Sequence, residues 1–238
     1  AEGRRPIGSL DGNYFDTREY GRAMLEMIDH VRNELGEQVE LLHDVHERLH
    51  PIDAVRFAKD VDPYRLFFLE DLLAPEDIGW FTKIRQQSTT PLAMGELFNN
   101  PHEWRGLVTE QLIDFIRMHI SQIGGITPAL RAAALADTFG VRTAWHGPSD
   151  TSPVGHAANL HLDVWAPNFG IQEWYLPGEL DYAMFPGLPK VIDGYLYPND
   201  QPGLGIDIDE QLAAEYPCSE IIEQWTQTRL PDGSSARP

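Results

Sequence analysis

The chain has 238 residues, 42% hydrophobic and 10% aromatic, a composition that supports a packed core and argues against disorder. Its formal net charge of −19 repels phosphate backbones and so argues against nucleic acid as a partner. No apolar run approaches the ~20 residues that span a bilayer. Cys218 is the single cysteine, so no intramolecular disulfide forms and a reducing cytoplasm is the expected compartment.

Residues 1–15 read as a non-periodic lead. Tyr20, Met24, Met27, Ile28, Val31 and Leu35 form one apolar stripe that predicts a helix over 17–35. Asp16 and Glu19 make its capping-box pair, and Gly36 ends it. Strand–helix pairs follow: a strand over 39–44 and a Pro51-started helix to 59, then a strand over 66–69 and a helix over 75–86. A third strand over 92–95 precedes a helix over 101–110, and a fourth over 112–117 precedes an Ala-rich helix over 128–139. The fifth strand, 141–145, leads through HGPSDTSP to a helix near 155–162, and the sixth covers roughly 169–174. From Pro177 prolines and glycines break the rhythm. A short strand pair near 191–197, a small helix at 208–216 and a polar tail over 231–238 are expected there.

This order defines an α/β chain in which consecutive parallel strands end side by side at one face of a TIM-type barrel. Six strands are legible where such a barrel needs eight. The expectation is therefore the carboxy-terminal part of a longer polypeptide. Residues 1–38 form a lead segment and helix, 39–176 a barrel domain of about six strand–helix units, and 177–238 a carboxy-terminal segment.

Three acids carry the chemistry: Asp44 in LLHDVH, Glu70 in FFLEDLL and Glu96 in PLAMGELF. The same 26-residue step separates Asp44 from Glu70 and Glu70 from Glu96, and each acid stands near the end of an apolar run. One acid at a strand end is ordinarily a helix cap or a solvated loop residue. Three in one rhythm converge at a barrel mouth, where oxygen ligands suit a hard divalent cation such as Mg²⁺.

Other candidates cluster at the same strand ends. Residues two apart on a strand share a face, so His46 projects beside Asp44 if the strand continues that far, a place for a general acid or base. A loop or helix-start histidine is the competing reading, because Pro51 soon follows. Arg117 ends the alternation Ile113, Phe115, Arg117, which suits a bidentate clamp on a carboxylate or a polar hydroxyl cluster and, not exclusively, a salt bridge to a neighbouring metal-shell acid. His119 lies on the same side. His146 and Asp150 flank GPS just after the fifth strand, and Glu173 closes the sixth; each taken singly is also an ordinary cap or surface residue. Lys59, Lys83 and Lys190 are the only lysines and none ends a strand, so a lysine base is absent from these residues. No nucleotide-binding glycine loop, GxSxG or CxxC pattern occurs.

In order along the chain, HDVH, FFLEDLLAPED, MGELFNN, DFIRMHISQIGGIT, HGPSDTSPV and NFGIQEW resemble the mannonate dehydratase branch of the enolase superfamily. PGLGIDIDEQLAAEYP is similar to the segment by which that branch returns to its capping domain. The resemblance implies a (β/α)7β barrel with an α+β capping domain lying largely upstream. It implies Asp44, Glu70 and Glu96 as Mg²⁺ ligands, His46 as the acid/base, and Arg117, His146, Asp150 and Glu173 as substrate contacts. The family's tyrosine–arginine pair comes from an earlier strand and does not occur in these residues. The implied reaction removes the proton beside a sugar-acid carboxylate and expels the neighbouring hydroxyl, converting D-mannonate or D-gluconate to 2-keto-3-deoxy-gluconate. The partners are then a small-molecule sugar acid and further copies of the chain in a homo-oligomer. Pro148 and the SSARP tail depart from the family pattern near the sugar, which keeps the gluconate epimer open. A catalytically weak or silent sugar-acid-binding paralogue, and an epimerase or racemase on the same metal, are the alternatives.

Overall fold

The computed structural model describes residues 7–9, 11–218 and 228–236; residues 1–6 and 10 of the lead and 237–238 of the tail lie outside the described residues. The chain divides into two compact units, Ala1–Met94 with Ile221–Pro238, and Gly95–Glu220. Among the described residues no helix is long and apolar enough to cross a membrane.

The first unit opens with α1 (Thr17–Leu35), whose bounds match the sequence reading. The carboxylate of Asp16 accepts the backbone N–H groups of Arg18 and Glu19, at 2.9 and 3.0 Å, satisfying donors that the first turn leaves open. Tyr20 and Ile28 of the stripe are buried, whereas Met27 and Leu35 are exposed. At the other end Arg32 donates to the carbonyls of Gly36, Val39, Tyr64 and Arg65, tying the helix terminus to the chain that enters the next strands.

Strand β1 (Leu42–Asp44), helix α2 (Pro51–Val61), β2 (Phe68–Glu70), a 3-10 turn over Pro75–Trp80 with α3 (Phe81–Arg85), and β3 (Leu92–Met94) complete the repeat. β1 pairs in parallel with β2, Asp44 level with Glu70, and β2 pairs in parallel with β3, Glu70 level with Ala93. Phe68, Leu69, Leu92 and Ala93 are buried, as expected of parallel strands covered on both faces. Asp62 fastens the loop before β3, accepting from the hydroxyls of Ser88 (2.7 Å) and Thr90 (2.6 Å) and from the N–H groups of Thr89 and Thr90. The tail returns to this unit: the Phe15 N–H donates to the Arg229 carbonyl and the Arg229 N–H to the Asn13 carbonyl.

The second unit contains α4 (Pro101–Thr109), β4 (Phe115–Ile116), α5 (Ile126–Thr138), β5 (Arg142–Thr143) and α6 (Pro153–Trp165). Asn100 and Glu103 form a full capping box on α4, and Ser152 caps α6 ahead of Pro153. β4 and β5 are parallel, with Phe115 level with Arg142. Ala129, Ala132, Ala133 and Ala136 let α5 pack closely, and Phe115 and Trp145 fill the centre. Beyond them lie α7 (Glu179–Met184), which the sequence reading did not contain, the antiparallel pair β6 (Val191–Ile192) and β7 (Tyr195–Leu196), and α8 (Glu210–Ala214).

The sixth strand expected over 169–174 is reduced to a single parallel bridge between Thr143 and Phe169. Gly170 and Ile171 both donate to the Thr143 carbonyl, and the side-chain amide of Gln172, rather than a backbone N–H, serves the Trp145 carbonyl at 3.2 Å. Side-chain substitution in the ladder ends the regular pairing. Gly170 is also required by space, since an added Cβ would lie 2.7 Å from the Phe115 ring and 2.8 Å from the Thr143 carbonyl oxygen. Overpacking of this kind typically costs ~1–3 kcal/mol. Gly170→Ala is expected to lower the melting temperature by about 2–4 °C for each kcal/mol lost, measured by thermal denaturation; an unchanged transition would show that the segment yields freely.

Candidate active site

Within the first unit, Asp44 and Glu70 end neighbouring parallel strands and are direct partners in register. Level residues on parallel strands stand about 4.8 Å apart with side chains toward one face, so Asp44 and Glu70 are neighbours at the strand ends. The uniform 26-residue step does not extend this ladder, because Glu70 stands level with Ala93 and Glu96 follows only after β3 has ended.

His46 does not share a strand face with Asp44, which corrects the geometric basis for its assignment. The Asp44 carboxylate accepts the His46 backbone N–H at 2.8 Å, and the chain leaves the strand through two left-handed residues, His46 (φ 53°) and Glu47 (φ 56°). An aspartate at a strand end favours this local turn over a continued strand. His46 thus follows Asp44 on a tight turn, and Glu47 is anchored by its N–H to the Asp71 carbonyl at 2.7 Å.

A part-buried pair joins α1 to β1 and was not legible in the sequence. His43 Nε2 and the Tyr20 hydroxyl are 3.1 Å apart. Burial, assisted by the charge of Arg48, brings the His43 imidazole down to about 4, while burial raises the Tyr20 phenol above its ordinary range. Tyr20 belongs to the apolar stripe of α1, and its hydroxyl reaches back to His43 of β1.

Within the second unit, Glu96, Arg117, His119, His146 and Glu173 come together. Arg117, 3% exposed, donates to Glu173 Oε2 at 2.7 Å and to the Ala144 carbonyl at 3.1 Å. The Gly147 N–H donates to the same Glu173 oxygen at 2.8 Å. Burial opposes ionisation of Glu173, but Arg117 and the Gly147 N–H together hold its carboxyl below the usual range. Gly147 admits no larger residue: a Cβ there would meet the Glu173 carbonyl at 2.5 Å. Arg117 thus forms a salt bridge to a neighbouring acid, Glu173.

His146 Nε2 lies 3.0 Å from Glu96 Oε2. Burial disfavours the imidazolium, yet the hydrogen bond and charge of Glu96, with Glu173 behind it, raise His146 above its ordinary value. The His119 ring lies 5.3 Å from that of His146, with Nδ1 2.8 Å from the Ser121 hydroxyl and Nε2 3.1 Å from the Thr151 hydroxyl. Asp150 is exposed on the turn after His146, and its charge acts on His119. Buried His156, between Trp174 and Tyr175, keeps Nε2 on the Pro148 carbonyl at 3.2 Å and supports the turn from below.

The sequence pattern of the family described as "Enolase C-terminal domain-like" matches residues 15–212, and the chain belongs to that family. It is similar to D-galactonate dehydratase family members of Musicola paradisiaca and Pantoea ananatis, at 52% and 54% identity over 235 residues, matching 99% of this chain and 56% of each relative. The crystal structure of an enolase from Pantoea ananatis with bound D-gluconate and Mg superposes with a TM-score of 0.96 at 53% identity, covering 100% of this chain and 57% of that one. A mandelate racemase/muconate lactonizing enzyme from Jannaschia sp. CCS1 shares the fold, with a TM-score of 0.80 at 24% identity over 93% of this chain and 55% of the other. The chain thus spans little more than half the length of the curated relatives it matches.

The Glu96–His146 pair makes a direct prediction. In protein stripped of metal with a chelator, Glu96→Gln removes the charge that favours the imidazolium, so the His146 titration midpoint falls below the wild-type value. Histidine NMR titration checks this; an unmoved midpoint would dissociate the two side chains.

Proposed function

We propose that this chain carries the metal-binding and acid-donating part of a Mg²⁺-dependent sugar-acid dehydratase acting on D-gluconate, D-mannonate or both, a hydro-lyase whose product is 2-keto-3-deoxy-gluconate. In this reading Asp44, Glu70 and Glu96 hold the cation, His46 is the acid, and Arg117, His146, Asp150 and Glu173 contact the substrate. The observation that carries it is the level pair Asp44 and Glu70, read with the D-gluconate and Mg in the Pantoea ananatis enolase. The donor set fits the ion: three carboxylates are hard oxygen ligands, and Glu70 and Glu96 are buried where negative charge gains most from a cation.

A bound Mg²⁺ supplies positive charge to the carboxylate end of the sugar acid and acidifies the proton on the neighbouring carbon. The base that takes this proton is expected from the family's tyrosine–arginine pair, which does not occur in these residues; the residues of this chain bind the sugar and supply the acid. The Arg117–Glu173 pair presents a fixed, ionised carboxylate to sugar hydroxyls, and Gly147 keeps that carboxylate in place. His146, held by Glu96, grips a hydroxyl. His46, on its turn beside Asp44, delivers a proton to the departing hydroxyl. The whole protein is expected to work as a cytoplasmic homo-oligomer.

The test is the full-length protein with Mg²⁺ against a panel of hexonic and pentonic acids, D-galactonate included, with product identified. A 2-keto-3-deoxy product from gluconate or mannonate supports the reading; an epimer points to racemisation, and binding without turnover to a silent paralogue. In the same assay His46→Asn should keep substrate binding and lose about 10²–10⁴-fold in kcat, the usual contribution of a positioned acid. His146→Asn should act mainly through KM. The reverse pattern would exchange the two roles.

A further inference from the structure

Nothing above uses His119, although its surroundings are unusually well defined. The backbone N–H of Ser121 donates to His119 Nδ1 at 3.3 Å, and a backbone N–H can only donate, so Nδ1 is an acceptor and carries no proton. The ring proton therefore sits on Nε2, which faces the Thr151 hydroxyl at 3.1 Å and donates to it. Thr151 is buried, at 2% exposure. It closes the turn that begins at His146 and carries Gly147 and Asp150, and its own N–H is bonded to the Pro148 carbonyl. The chain on the other side is anchored as well: His119 and His146 form a parallel bridge, and the His146 N–H donates to the Met118 carbonyl. One imidazole thus ties the end of the turn, through Thr151, to the backbone that flanks its beginning.

We propose that His119, as the neutral Nε2–H tautomer, is a positioning residue that fixes the turn from His146 to Thr151, and with it the imidazole of His146 and the carboxylate of Asp150, for binding the sugar acid. This rests on the substrate-contact reading of His146 and Asp150. Fixing a loop before the ligand arrives lowers the cost of ordering it on binding, so the effect falls on affinity rather than on the chemical step. His119 itself touches no reacting atom in this scheme.

The experiment uses the full-length protein and four variants: His119→Ala, His119→Gln, Thr151→Val, and His119→Ala combined with Thr151→Val. Glutamine keeps a donor at the reach of Nε2, so it should restore what alanine loses. His119→Ala and Thr151→Val should each raise KM about three- to tenfold, the scale of one hydrogen bond, with kcat within about twofold. The double variant should add little to either single one, since both break the same link. A readout independent of catalysis is the His146 imidazole resonance in ligand-free protein, which should shift in His119→Ala and Thr151→Val and return in His119→Gln. Shifted resonances without turnover of any sugar acid by the wild type would sink the functional reading and leave the positioning intact. An active wild type whose KM and His146 resonance are unmoved in His119→Ala, or additive losses in the double variant, would overturn the positioning role, as would a fall in melting temperature with KM unchanged.

Discussion

A single carboxylate oxygen organises the polar end of the second unit. Glu173 Oε2 accepts from the buried guanidinium of Arg117 and from the backbone of Gly147, so it joins three chain segments that lie far apart in sequence. Arg117 is buried while the Glu173 carboxylate is partly exposed, so loss of the acid would leave a buried guanidinium without this partner. The same close approach requires the glycine at 147, where a Cβ would meet the backbone carbonyl of Glu173.

The local chemistry diverges on either side of that constraint. Glu173 is held ionised by a cation and a backbone dipole, whereas Glu96 spends its charge on His146 and draws that imidazole toward protonation. His119, only one ring away, is pushed the other way by burial and by His146. The two neighbouring imidazoles are thus shifted in opposite directions, His146 upward and His119 downward.

Much of this was legible in the sequence where a periodic signal or a cap chemistry acts locally. The helix over Thr17–Leu35 appears with the bounds that Asp16 and Gly36 dictate, and the strand order up to Thr143 follows the alternation of apolar runs and Pro-started helices. The paired ends of β1 and β2 follow from the spacing of Asp44 and Glu70. Reading failed where a side chain overrides the backbone. The Asp44 carboxylate captures the His46 N–H and turns the chain, so the two-residue alternation stops at the point where it was needed to place His46. Gln172 replaces a strand hydrogen bond with its amide, a substitution no periodicity reveals. His43, His119 and Thr151 lie within quoted motifs, but their roles depend on partners 23 to 32 residues away in sequence.

The proposed function rests on Asp44, Glu70 and Glu96 serving one divalent cation. Calorimetric titration of the full-length, chelator-treated protein with Mg²⁺ addresses it most directly, repeated for Asp44→Asn, Glu70→Gln and Glu96→Gln. The account predicts one ion per chain in the wild type and loss of measurable binding in each variant alone, with folding retained by circular dichroism. Undiminished Mg²⁺ binding in any one of the three folded variants would contradict it.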